Sequence, residues 1–257
     1  MLVLLSPAKK LDFDREKAPE TFSSLQFQPD TEELLKTARA QKPADLKRLM
    51  KISDDLSELN YQRFQAMEFP FTLENAKQAG FAFAGDTYTG LDITSLAEDD
   101  IAYAQDHVRI LSGLYGIARP LDLIQPYRLE MGTRMANSRG ENLYDFWGDK
   151  LAKALNEELK SHKSQVIINC ASNEYFKAVK AKALDYPVIT PVFKEVKQGV
   201  AKVIGFSAKR ARGMMARYIS ENKIDDPADL KAFNMAGYNY QADASNEKEL
   251  HFYRDVS

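Results

Sequence analysis

Leu2 to Leu5 is a continuous apolar run closed by Ser6-Pro7, and the same arrangement returns at Val166 to Cys170, closed by Ala171-Ser172. Four or five apolar residues without polar alternation predict a strand buried on both faces, as in the interior of a parallel sheet. Val188 to Phe193 and Ala201 to Phe206 are two more β-rich runs, and Lys197-Gln198-Gly199 between them suits a hairpin connection. Phe81 to Ala84 predicts a short buried strand ahead of Gly85-Asp86-Thr87-Tyr88, and Leu250 to Tyr253 a terminal one.

Between these runs the apolar period changes to that of helices. Leu34, Leu35 and Ala38 follow Asp30 or Thr31 as cap, Pro43 opens a second helix carrying Leu46, Leu49 and Met50, and Ser53 caps a third presenting Leu56, Leu59 and Phe64. Glu98-Asp99-Asp100 start a helix expected to run to Leu111, their charge complementing its dipole. Leu143 to Leu159 carries Phe146, Trp147, Leu151, Leu155 and Leu159 at helical spacing, with Trp147 in the core. Further helices are expected after Ser172, from near Ser207 with Ala211, Met215 and Ile219 on one face, and from Pro227. Residues 14 to 30, polar and interrupted by Pro19 and Pro29, read as a surface loop. No Gly/Ser-rich or Pro-rich linker and no internal repeat divides the chain, so the expectation is one compact α+β domain over residues 1–257.

The stretch from His107 to Gly148 carries the densest signal. Gly113 and Gly116 mark a tight turn, because glycine takes positive φ freely and lets a backbone or a phosphate come close. Any helix after that turn must start at Pro120, and Leu121 to Gln125 makes one short turn or two. Leu111 to Ala118 thereby resembles a helix-hairpin-helix loop that presents N–H groups to a DNA phosphate. It differs in placing two residues, Leu114 and Tyr115, between its glycines where that loop has one. The alternative is a structural turn capping a core helix. In Pro126 to Gly132, Arg128 and Glu130 alternate with Leu129 as on an extended segment, so both charges can face one side.

Hydrophobic residues at 44% with 28% charged describe a chain that buries a core, which excludes disordered and collagen-like classes. A net charge of −2 exerts no global pull on nucleic acid, so DNA contact requires local clustering of cations. One cluster exists. Between Val196 and Ser220 there are six basic residues, Lys197, Lys202, Lys209, Arg210, Arg212 and Arg217, and no acidic one. Arg210, Gly213 and Arg217 share a helix face on which the glycine would admit a phosphate backbone, with Arg212 off that face. The single cysteine, Cys170, excludes an intrachain disulfide and is expected to be an inert packing residue in a reducing cytosol. No signal peptide and no membrane-length apolar run is present, which predicts a cytoplasmic protein without a membrane partner. His107, His162, His251 and Cys170 lack a zinc-ligand spacing, so neither a metal nor a cofactor is expected.

Two function classes compete. In the first, an enzyme acts on a nucleotide or a nucleic-acid base, because polar residues gather after three strand ends: Ser6 and Lys9, Asp86 and Tyr88, Ser172 and Glu174. Arg128 and Glu130 can join them, making Lys9, Asp86, Arg128, Glu130 and Glu174 the catalytic candidates and a nucleotide or phosphate the ligand. Lys9, Asp86 and Glu174 also have structural readings, as a solvated charge, a turn former and a first-turn residue of a helix capped by Ser172. In the second class, Ser112, Gly113, Tyr115, Gly116 and Arg119, with Lys209, Arg210, Arg212 and Arg217, contact DNA backbone phosphates without reading sequence. No nucleophile elbow, Walker loop, dinucleotide fingerprint or zinc pattern appears, and direct iron sequestration lacks a ligand set.

Ser112 to Gly116 with Arg119 to Asp122, Pro126 to Gly132, Asn142-Leu143-Tyr144 and Phe146-Trp147-Gly148 together resemble the longest signature of the YaaA family of peroxide-stress proteins, and further matches run from Ser6 to the C-terminus. The resemblance implies a cytosolic bacterial protein that protects against hydrogen peroxide, limits damaging intracellular iron, and binds DNA through a helix-hairpin-helix-like element in a basic cleft. It does not imply a particular reaction.

Overall fold

In the computed structural model, which describes residues 1–14 and 18–256, the chain opens with β1 (Leu2–Leu5), buried along its whole length, and the short β2 (Lys10–Leu11). Of the loop expected over residues 14 to 30, residues 15–17 lie outside the described residues, and its end is helical. α1 (Gln28–Arg39) starts ahead of the expected Asp30 or Thr31 cap, with Pro29 in the first turn, where a missing N–H leaves no helical bond unmade. α2 (Pro43–Met50) opens on its proline, and α3 (Asp54–Ala66) on Ser53, whose Oγ accepts the Leu56 N–H at 3.3 Å. The buried side of α3 is not the expected one: Leu56 and Leu59 are exposed, whereas Ser57 and Asn60 are buried beside Phe64. Those two polar side chains tolerate burial because each donates to a carbonyl of its own helix, Asp54 O and Leu56 O, both at 2.7 Å.

Next come β3 (Lys77–Gln78), α4 (Ala79–Ala82) and β4 (Phe83–Ala84), so the strand expected over Phe81 to Ala84 is half helical. α5 (Asp86–Leu91) and α6 (Glu98–His107) follow. α6 ends at His107 rather than Leu111, because the Val108-to-Ser112 run enters the sheet as β5 (Val108–Ser112) alongside β1. β6 (Gly116–Ala118) turns back antiparallel on β5 with Ser112 opposite Gly116, and β7 (Leu123–Ile124) pairs with β3. The helical spacing of Leu143 to Leu159 is realised as α7 (Leu143–Trp147) and α8 (Lys150–Leu159), separated at Gly148, whose φ is +54°; Trp147 is fully buried as expected. After β8 (Ile167–Cys170) and α9 (Asn173–Phe176), β9 (Val188–Lys197) and β10 (Val200–Lys202) form the expected hairpin. Gln198 and Gly199 both take positive φ in its turn. α10 (Gly205–Glu221) starts ahead of Ser207; a 3₁₀ helix opens at Pro227, and β11 (Asn239–Tyr240) and β12 (Glu249–Asp255) complete the chain.

The main sheet has the order β11-β12-β9-β8-β1-β5-β6, with β10 on β9. Its centre is parallel from β12 to β5, and β6, β10 and β11 are antiparallel, which makes it a mixed sheet in an α+β fold. α10 packs against β1, β8 and β9 and against α5 and α6. No helix among the described residues is long and apolar enough to cross a membrane.

The stretch expected as a helix-hairpin-helix loop is a β-hairpin inside the core. Ser112, Gly113, Tyr115 and Gly116 are all buried. The glycines do permit close approach, but by this chain's own atoms. A Cβ on Gly113 would lie 2.3 Å from the Leu129 carbonyl oxygen, and one on Gly116, at φ +70°, would lie 2.7 Å from the Trp147 ring. The turn's N–H groups are spent internally as well, since Ser112 Oγ accepts from Leu114 and Tyr115. What the sequence left open between a phosphate loop and a structural turn resolves as the turn, although it joins strands and caps no helix.

Candidate functional site

β1 and β8 are adjacent and parallel, so their C-terminal ends open at the same edge of the sheet. The chain builds from β1 outward to β5 on one side and from β8 to β9 on the other, and such a reversal of strand order leaves a crevice beyond the strand ends. Ser6 and Ser172 lie there and tie the ends together: Ser6 Oγ accepts the Ser172 N–H at 2.8 Å and donates to Ser172 Oγ at 3.3 Å. The Ser172 side chain therefore bonds across the sheet and does not cap α9. The buried Tyr88 hydroxyl donates to Ser6 O at 3.0 Å, which fixes α5 against the end of β1.

A cavity of about 480 Å³ opens at this point, and five of the sequence-derived candidates, Lys9, Asp86, Arg128, Glu130 and Glu174, line it with Ser6 and Ser172. They come from four separate segments. Arg128 and Glu130 face the same way, as their alternation with the buried Leu129 required, and Glu130 Oε1 accepts from Arg128 Nη2 at 3.0 Å, Arg128 Nε at 3.2 Å and pairs with Lys9 Nζ at 3.1 Å. Burial works to raise the Glu130 pKa, but the hydrogen bonds from Arg128 and Lys9 outweigh it and hold the carboxyl below its usual range. All three donors use one oxygen. Oε2 is buried without a hydrogen-bond partner among the described residues, an unsatisfied acceptor in the pocket wall. Glu174 is exposed and oriented by the Gly132 N–H, which reaches its Oε1 at 2.9 Å.

Cations outnumber carboxylates around the cavity. Lys10, Lys209 and Arg212 line it together with Lys9 and Arg128, against Asp86, Glu130 and Glu174. Lys10, Lys209 and Arg212 have no carboxylate within 4 Å among the described residues, so their charge is available to a ligand. Two phenols complete the wall. Tyr127, whose hydroxyl lies 2.6 Å from Ser112 Oγ, and Tyr175 both have pKa values raised by burial and stay protonated at neutral pH. The site can therefore neutralise an anion and offer fixed carboxylates to the rest of the same ligand.

Several residues assigned to DNA contact lie elsewhere. Ser112, Gly113, Tyr115 and Gly116 are core, and Arg119 is engaged by Asp122 and by Ser24 O. Arg217 holds the end of α5, donating from Nη1 to Leu91 O at 3.2 Å, Asp92 O at 2.9 Å and Ser95 Oγ at 2.8 Å. Arg210 lies on the other side of α10 from the cavity. Gly213, expected to admit a phosphate, admits α5 instead. Lys209 and Arg212 alone of that basic set reach the cavity, and Arg212, which the helical-face argument had set apart, is one of them. Lys10, Tyr127 and Tyr175 were missed. Lys10 directly follows Lys9 and Tyr127 precedes Arg128, so a polar residue's immediate neighbours were the signal.

Cys170 also borders the cavity, and burial pushes its thiol up to about 12. The thiolate is the peroxide-reactive form, so this side chain is disfavoured as a peroxide sensor. The peroxide protection that the sequence resemblance implies is therefore expected to survive Cys170→Ala, measured as survival of a complemented strain; lost protection from a variant that still folds would establish thiol chemistry instead.

A family model described as peroxide stress protein YaaA matches residues 1–244. A UPF0246 protein of Shewanella baltica (strain OS185) is 54% identical over 255 residues, covering 99% of both chains. UPF0246 proteins of Burkholderia orbicola and Alteromonas mediterranea are each 53% identical, over 258 and 255 residues, and cover 99% and 98% of their own lengths.

Proposed function

The chain belongs to the peroxide stress protein YaaA family, and from that premise we propose that it serves the peroxide response in the cytoplasm by acting on a phosphate-bearing ligand, a nucleotide or a base within a nucleic-acid strand, held in the strand-end cavity. The observation that carries the reading is the gathering of Lys9, Arg128, Lys209 and Arg212 around one cavity with Asp86, Glu130 and Glu174. The cations bind and orient the phosphate. Glu174, fixed through one oxygen by Gly132, is placed to take a proton from a bound ligand through the other, and the protonated Tyr127 and Tyr175 donate hydrogen bonds. Iron-dependent damage is limited, in this reading, downstream of that ligand.

Calorimetric titration of the full chain with nucleoside monophosphates and with a short duplex tests the reading directly. The double variant Lys209→Ala/Arg212→Ala is expected to lose roughly tenfold or more in affinity, about 1.4 kcal/mol, for whichever probe binds. Failure of the wild-type chain to bind any of these probes would refute it. In cells, removing the protein is expected to lower survival under hydrogen peroxide and raise DNA damage, with rescue by the wild-type chain and not by the double variant. Equal survival with and without the protein would sink the physiological half of the proposal.

Nonspecific DNA binding is the second reading, favoured by the exposed Lys209 beside the cavity, which has no carboxylate within 4 Å among the described residues. Each phosphate neutralised adds about 0.9 to the salt slope of duplex binding, so the same double variant is expected to flatten that slope by up to about 2. Arg217, spent on α5, is not expected to contribute.

A further inference from the structure

A second, smaller cavity lies across α10 from the strand ends. Phe206, Arg210 and Met214, four residues apart on one stripe of the helix, line it with Ser207, Tyr238 and Arg254. None of these residues takes part in the strand-end site. Two arginines, Arg210 and Arg254, line it, and a single carboxylate, that of Glu195, pairs with Arg254. Arg254 Nη2 donates to Glu195 Oε1 at 2.6 Å and to Ser207 Oγ at 3.2 Å. Its Nη1 makes no hydrogen bond and its Nε is buried without a partner among the described residues, while Arg210 has no carboxylate within 4 Å there. Hydrogen bonds from Ser207 and Arg254 hold the Glu195 carboxyl below its usual range, so it is ionised and neutralises one of the two arginines. One full positive charge and several N–H donors are left over.

A buried N–H without an acceptor is unfavourable, and a surplus cation beside it selects for an anion. The size of the cavity narrows the choice. At about 170 Å³ it falls below the ~300–1,000 Å³ of pockets that enclose drug-sized ligands, so it has room for a compact oxyanion and not for a whole nucleoside. Guanidinium forks match the oxygens of a phosphate better than they match a halide. Phe206, exposed over 66% of its surface, supplies an apolar rim on which an organic substituent of that phosphate would rest, while the buried Tyr238 ring lies under the Arg254 guanidinium at 4.9 Å and holds it in place. We propose that this cavity is a phosphate site, which binds a phosphate dianion, free or as the end of a monoester, between Arg210 and Arg254.

The site stands independently of the strand-end reading, and its test reads Arg254 itself. Inorganic phosphate and phenyl phosphate would each be titrated at constant ionic strength into the full ¹⁵N-labelled chain, following the Arg254 Nε–Hε resonance, which is identified by its loss in Arg254→Lys. A saturable shift with either probe is expected, the two together distinguishing the free ion from an ester. Arg210→Ala is expected to weaken the response roughly tenfold, as the loss of one charge-assisted partner would. Lys9→Ala, which alters only the strand-end cavity, should leave its midpoint in place, so failure of one site does not imitate failure of the other. A resonance that moves no more than in a chloride control, or an Arg210→Ala midpoint equal to wild type, would overturn the proposal.

Discussion

Gly213→Ala is expected to lower the stability of the chain by ~2–4 kcal/mol, although alanine exceeds glycine as a helix former by about 1 kcal/mol. The added Cβ would lie 1.7 Å from Thr87 O and 2.7 Å from Leu91 N, and the reciprocal position, Gly90, lies with its Cβ direction 2.0 Å from Arg210 O. α5 and α10 thus touch backbone to backbone at two glycines, and no rotamer change relieves a clash with a main-chain oxygen. The helices must separate. Because α5 begins at Asp86 and α10 carries Lys209 and Arg212, separation also widens the strand-end cavity, so ligand affinity should fall along with stability. Gly205→Ala is the control: nothing lies within 4 Å of its would-be Cβ, and its stability should match or exceed wild type. Urea denaturation of the three proteins decides the matter, and a Gly213→Ala midpoint equal to wild type would show that the helices do not meet as described.

Arg128→Met is expected to cost ~2 kcal/mol at neutral pH, less than the ~3–5 kcal/mol of breaking a fully buried ion pair because Lys9 still reaches Glu130. Arg128 and Glu130 side chains are only 18% and 16% exposed, so removing the guanidinium leaves the carboxylate poorly solvated. The pH dependence identifies the cause. Glu130 has its folded-state pKa below the ordinary 4.5, so the pair contributes in full above that pH and loses its contribution as pH falls through the folded value. Without Arg128 one of the two cations that oppose the effect of burial is gone, so the Glu130 pKa rises from its wild-type position. The stability gap between wild type and Arg128→Met should therefore narrow as pH is lowered from about 7 to about 3. A gap that does not change with pH would mean that lost packing by the arginine stem, and not the charge on Glu130, causes the destabilisation.

The strand-end candidates were legible because a parallel strand is read as an unbroken apolar run, and whatever polar residues follow it must emerge at the sheet edge. Ser6 after Leu2 to Leu5 and Ser172 after Cys170 illustrate this, and the alternation of Arg128 and Glu130 around Leu129 placed both charges on one side. The basic helix shows the limit. Its sequence grouped Arg210 with Gly213 and Arg217, which do share a stripe, but the rotation of α10 is set by Gly213 seating on α5, and that turns Lys209 and Arg212 toward the cavity.

By itself the sequence determined what depends on a few neighbouring residues: the buried strands at Leu2 and Ile167, the Ser53 cap, the proline start of α2, the hairpin turn at Gln198-Gly199, and the need for close approach at Gly113 and Gly116. Only the tertiary structure decided what makes that approach, where α6 yields to β5, which face of α3 is buried and which arginines meet a ligand. Those outcomes rest on partners distant along the chain, Val108 beside Val3 and Gly213 against Thr87, and a local pattern states that a surface must be covered without stating by what.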